Sequence, residues 1–170
     1  MTQTLQSSRE KVEHLLTHHP ELSQDDKLLW LSYLVQFYDL KKVLACSTPF
    51  TVLCDVLFNK NINSSTLIRV KQKFQQKLGT KTARSSEYRS LHVKSRIEHL
   101  LKNYPALKEN DTQLWVSYLV MFHDLKDRLN KSADPYTEFC DIVMDREVPA
   151  ISTMRRSRQR VQNHREITNG

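Results

Sequence analysis

LWLSYLVQFYDLK (Leu29 to Lys41) returns further along the chain as LWVSYLVMFHDLK (Leu114 to Lys126). Wound as a helix, the stretch is apolar on nearly every side: Leu28, Trp30, Leu31, Leu34, Val35, Phe37 and Tyr38 in the first copy, Trp115, Val116, Leu119, Val120 and Phe122 in the second. A helix of that kind must be covered by others. Trp30, Trp115, Tyr33 and Tyr118 are therefore expected in a core rather than around a ligand. Upstream, VEHLLTHHPEL (Val12 to Leu22) matches IEHLLKNYPAL (Ile97 to Leu107) at the same offset of 85. Downstream, Pro49-Phe50 matches Pro135-Tyr136, Cys54-Asp55 matches Cys140-Asp141, and Ser65-Thr66-Leu67 matches Ser152-Thr153-Met154. The offset grows there to 86 and then 87, so one residue has been inserted in each of two connections. A unit repeated at this period is one folding module used twice.

Each copy reads as four helices without a strand. Ser7-x-x-Glu10 has the form of a capping box that opens helix one, and Pro20 and Pro105 end that helix in the two copies. Helix two is expected to start after Ser23-x-x-Asp26 in the first copy and Asn110-x-x-Gln113 in the second. Thr48-Pro49 and Asp134-Pro135 place an N-cap before a proline at the first position of helix three. Helix four begins near Ser65 and Ser152. The predicted fold is all-α: two tandem four-helix modules with helix-turn-helix-like C-terminal helix pairs. The first module takes residues 1–78, a basic connection 79–89 and the second module 90–170.

Composition narrows the function classes. Gly79 and Gly170 are the only glycines, so a loop that cradles phosphate on bare backbone is close to excluded. Three cysteines with no C-x-x-C spacing suit small buried thiols in a reducing compartment. MTQTLQSSRE at the N-terminus has no apolar signal region, and Leu28 to Tyr38 is too short to span a bilayer. A soluble, cytoplasmic protein is expected. No serine sits in a nucleophile elbow and no carboxylate pair has a catalytic scaffold, so no enzyme activity and no cofactor are expected. His14 and His18 have the spacing of a helical metal pair, but the second copy has His99 and Asn103 there, which argues against a shared metal site. The recurring Asp39/Asp124 and Asp55/Asp141 read as capping or salt-bridging groups.

Charge supplies the positive signal. The net charge is +7. Residues 1 to 63 hold six basic and seven acidic side chains, 64 to 94 eight and one, 95 to 150 seven and ten, and 151 to 170 five and one. Nearly all the excess therefore sits on the last helix of each copy and the segment after it. On helix four, Val70 and Phe74 share the direction of Leu67 at about 100° per residue, and Arg69, Gln72, Lys73 and Gln76 lie opposite. The equivalent outer face in the second copy is Arg156, Gln159, Arg160 and Asn163. Packing does not require that chemistry twice. Arg and Lys neutralise phosphates, and Arg, Gln and Asn can read base edges. Lys77, Lys81, Arg84 and Arg89 extend the charge into the connection. A solvated face that only aids solubility is the alternative, but no acidic residue occurs from Ser64 to Ser86 or from Pro149 to His164. Lys71 and Arg158 lie near the apolar direction and are expected to pack along the core edge or to pair with Asp55 and Asp141.

The run Ser152-Thr-Met-Arg-Arg-Ser-Arg-Gln-Arg-Val-Gln162 resembles the start of a recognition helix in helix-turn-helix regulators. It is also similar to the S-T-I-x-R-x-R-R-K-I-Q signature that ends many small bacteriophage and prophage proteins, whose earlier part carries an N-D-x-x-L-W-x-x-Y-L run like Asn110 to Leu119. The resemblance covers about residues 8 to 76 and 94 to 163 and implies a tandem version of that module, working in a bacterial host cell. The connections from Phe58 to Ser65 and from Met144 to Ser152 are longer than a standard helix-turn-helix and lack its turn glycine. The leading expectation is duplex DNA as partner, with the tandem copies reaching two half-sites. The competing one is a protein-binding inhibitor or adaptor, such as a counter-defence factor that docks on a host protein or nucleoprotein complex.

Overall fold

The computed structural model describes residues 7–59, 62, 64–79 and 87–168, with the side chains of 59, 64–65, 87–91 and 164–168 set aside. Among the described residues it is all-helical. The first half runs α1 (Ser8–His18), a 3-10 turn (Pro20–Gln24), α2 (Asp26–Tyr38), α3 (Leu40–Leu44), α4 (Pro49–Asn59) and α5 (Ser64–Leu78). The second half repeats that order as α6 (Glu87–Asn103), a 3-10 turn (Pro105–Lys108), α7 (Asp111–His123), α8 (Leu125–Lys131), α9 (Pro135–Met144) and α10 (Ile151–Thr168). Each half thus holds five α-helices where four are expected from sequence.

The extra helix comes from one residue. Asp39 and Asp124 sit at the ends of α2 and α7 with φ of 49° and 52°. That left-handed conformation breaks the helix, and aspartate is one of the few non-glycine residues that tolerate it. The chain then resumes as α3 or α8 with Leu40 or Leu125 fully buried. The recurring aspartates are therefore junction residues. The first inserted residue of the second copy falls in this region, where α8 has 7 residues against 5 in α3.

The capping box at Ser7 forms as expected, with Glu10 N donating to Ser7 Oγ at 3.2 Å and Ser7 N to Glu10 Oε2 at 3.0 Å. The start of α2 differs from the sequence reading. Asp25, not Ser23, is the N-cap, accepting from Lys27 N at 2.8 Å and Leu28 N at 3.2 Å. Ser23 is instead buried in the 3-10 turn, where its carbonyl accepts from Gln75 Nε2 of α5 at 2.5 Å. Asn110, the counterpart of Asp25, caps α7 through Gln113 N at 3.0 Å. Asp134 caps α9 through Thr137 N at 3.2 Å, with Pro135 at the first helical position.

One continuous core serves both halves. It takes Val12, Leu15, Leu16 and Leu34 from the first and Ile97, Leu100, Leu119 and Phe139 from the second. Trp30 of α2 meets Trp115 of α7 edge-on, with ring centroids 4.8 Å apart. Both tryptophans are core residues, and they join the copies. The contacts are close to symmetric, since α2 packs on α9 while α7 packs on α4, and α3 on α9 while α8 on α4. The two modules, whose packing the sequence leaves open, share this core.

The last helix of each half docks on the first helix of the same half, α5 on α1 and α10 on α6. This corrects the helix-turn-helix-like pairing, because α9 is not a principal partner of α10. A repeated cation also ties α1 to α2 and α6 to α7. Lys11 Nζ lies 5.5 Å and 5.2 Å from the ring centres of Phe37 and Tyr38. Its counterpart Arg96 lies 4.9 Å from Phe122 and donates to the Tyr118 hydroxyl at 3.2 Å.

Candidate nucleic-acid interface

The two basic helices are built on one plan. On α5, Leu67, Val70, Lys71 and Gln75 are buried, and Arg69, Gln72, Lys73, Gln76 and Lys77 are exposed on the opposite side. On α10, Met154, Ser157 and Val161 are buried, and Arg156, Gln159, Arg160 and Asn163 are exposed. Nine of the residues chosen from sequence therefore face outward in two rows. Lys81 and Arg84 lie outside the described residues, as does the side chain of Arg89.

The rows carry cations with no acid among them, since residues 64–78 and 151–164 contain no Asp or Glu, while elsewhere paired cations stand beside exposed ones without an ion pair among the described residues, such as Lys41, Lys42, Lys102, Lys126 and Arg146. Elsewhere Arg9 pairs with Glu13, Lys94 with Glu98, Arg128 with Glu138 and Lys131 with Asp127. Among the described residues Arg69, Lys73, Lys77 and Arg160 make no ion pair. Arg156 donates through Nε to the Ser152 carbonyl of its own helix at 3.3 Å. Neither row carries an aromatic side chain.

Lys71 and Arg158 answer to different acids than expected. They pair with Asp26 and Asp111, at the starts of α2 and α7, and not with Asp55 and Asp141, which are exposed. Arg158 Nε lies 2.8 Å from Asp111 Oδ1, and Nη1 donates to the Lys108 carbonyl. Arg155 approaches the same carboxylate at 3.9 Å. Asp26 and Asp111 are 85 residues apart, and Lys71 and Arg158 are 87 apart, which are the repeat offsets, so the sequence did carry this signal. The pairs orient helix four: with Lys71 or Arg158 held inward, the Arg/Gln/Lys row turns outward.

Asp26 has a second partner. It also accepts from the hydroxyl of Ser152, at the first turn of α10. One carboxylate therefore holds α5 through Lys71 and α10 through Ser152, and the two helices touch. Between them lies a cavity of about 30 Å³ lined by Asp26, Trp30, Leu67, Lys71, Trp115 and Ser152. That volume admits about one water.

His18 Nδ1 is 2.8 Å from the His14 carbonyl, and no cluster of three metal-ligating side chains occurs among the described residues. Burial, with a smaller contribution from Asp55, pushes the Cys54 thiol up to about 11, and burial raises Cys140 as well, which keeps both protonated and unreactive at neutral pH. No described helix is long and apolar enough to cross a membrane. Comparison with protein-family models, with curated proteins and with solved structures finds no match.

Proposed function

We propose that this chain binds duplex DNA through the outward rows of α5 and α10. The observation that carries the reading is the sign of the charge: residues 64–78 and 151–164 contain no acidic side chain, and their cations line an outward face in each copy. Arg69, Lys73, Lys77 and Arg160 stand exposed on these rows without an ion pair among the described residues. Leaving like charges side by side costs stability unless a polyanion relieves them. Gln72, Gln76, Gln159 and Asn163 alternate with the cations and offer donor-acceptor pairs suited to base edges. The missing aromatic favours a duplex over single-stranded RNA, which is gripped by stacking. On this reading the protein works where DNA is, in the cytoplasm of a bacterial cell if the phage-like sequence signature reflects its source.

The test is retardation of a random duplex at moderate salt by nuclease-treated protein, beside the variant Arg156→Glu/Arg160→Glu. Retardation by the wild type and its loss in the variant is the expected result. Equal behaviour of the two would overturn the assignment. A pull-down from host lysate with and without nuclease adds a second check: partners that survive nuclease would favour direct docking on a protein.

A further inference from the structure

We infer that the two basic rows grip one continuous turn of a single duplex as a rigid pair, and not two half-sites a full turn or more apart. This rests on the duplex reading above and adds the geometry of the partner. Lys71 of α5 and Ser152 of α10 share the carboxylate of Asp26, and Leu67, Ile68, Ile151 and Ser152 line the same cavity. The helices therefore meet near their N-terminal ends. From that joint the row on α5 is centred at Lys73 and the row on α10 between Gln159 and Arg160. At about 1.5 Å per residue and about 10 Å between axes at the contact, the two centres lie no more than about 30 Å apart, even if the helices diverge fully. Dimeric helix-turn-helix readers need about 34–36 Å between recognition helices. Nor are the rows free to spread, since Trp30 packs on Trp115 and Lys27 Nζ donates to the Asp145 carbonyl at 2.6 Å, both across the halves.

Adding half the length of each row gives a footprint of at most about 42 Å, or about 12 base pairs at roughly 3.4 Å each. The experiment is fluorescence anisotropy at fixed salt with hairpin duplexes of about 8, 12, 16 and 24 base pairs, for the wild type, Lys73→Gln and Arg160→Gln. Both substitutions lie on exposed helix faces and spare the core. The expected result is that affinity per available site stops rising at about 12 base pairs, and that on this duplex each variant lowers the log-log salt slope by about one. A several-fold rise in per-site affinity between about 12 and 24 base pairs would overturn the inference. So would a 12-base-pair duplex that responds to only one of the two variants. Wild-type protein that binds no duplex of any length would sink the parent reading as well, so the two failures are separable.

Discussion

Asp26 and Asp111 stand one repeat apart, and each neutralises the inward cation of its own last helix; among the described side chains Asp26 alone also holds a residue of the other half. The Lys71 side chain is 6% exposed, and Asp26 divides its oxygens between that ammonium and the Ser152 hydroxyl. Arg158 is 16% exposed and spreads its fork over Asp111, the Lys108 carbonyl and Gln162. A lysine is a point charge with no second geometry to fall back on, whereas an arginine shares its load among several acceptors. The comparison shows how a duplicated unit becomes one body. The same ion pair is kept for orientation in both copies, and at Asp26 it is extended across the seam.

Substitutions can break that comparison at several depths. The largest effect is expected at the tryptophan contact, where Trp115→Ala or Trp30→Ala removes a buried ring from the seam at a cost of about 3–5 kcal/mol. Trp115→Ala should be the worse of the two. Its Nε1 donates to the Pro149 carbonyl at 2.9 Å, while Trp30 Nε1 has no acceptor among the described residues. Denaturant melts of both variants check the order, and equal costs would mean that this hydrogen bond contributes nothing.

Next comes the acid itself. Asp26→Asn strands a buried ammonium and should cost about 3 kcal/mol. Asp111→Asn should cost less, because Arg158 keeps its carbonyl partner. A larger loss for Asp111→Asn in the same melts would refute the seam role given to Asp26.

A smaller effect distinguishes Tyr38 from its counterpart His123. Burial, and then Arg96, holds the His123 pKa below its ordinary value. The unfolded chain therefore binds the proton more readily than the folded one. Stability from this site is complete above about pH 6.5 and is lost as pH falls from there through the lowered folded value. His123→Tyr restores the residue of the first copy and should flatten the decline in stability between neutral and mildly acidic pH. Stability curves of unchanged slope would remove His123 from that decline.

Much of this was legible in one sequence because the repeat supplies its own control. The all-helical class, the tryptophans in the core and the outward rows of helix four follow from helical periodicity seen twice. Three features were not legible for identifiable reasons. The break after α2 depends on a left-handed aspartate, and aspartate is compatible with helix, cap and turn alike. The packing of the last helix on the first, instead of on the preceding one, is set by which apolar faces fit, and periodicity marks a face without naming its partner. The Asp26–Ser152 contact joins the two halves, and aligning one copy with the other does not say which residues meet across the seam.

The central claim is that the outward cations of α5 and α10 meet phosphates, and the slope of log binding constant against log salt for a random duplex tests it most directly. Five cations, Arg69, Lys73, Lys77, Arg156 and Arg160, should give a slope of roughly −4 to −5 at about 0.9 per contact. Neutralising all five with glutamine should bring it close to zero while the helical content stays unchanged. A wild-type slope near zero, or one that the five substitutions leave intact, would contradict the claim.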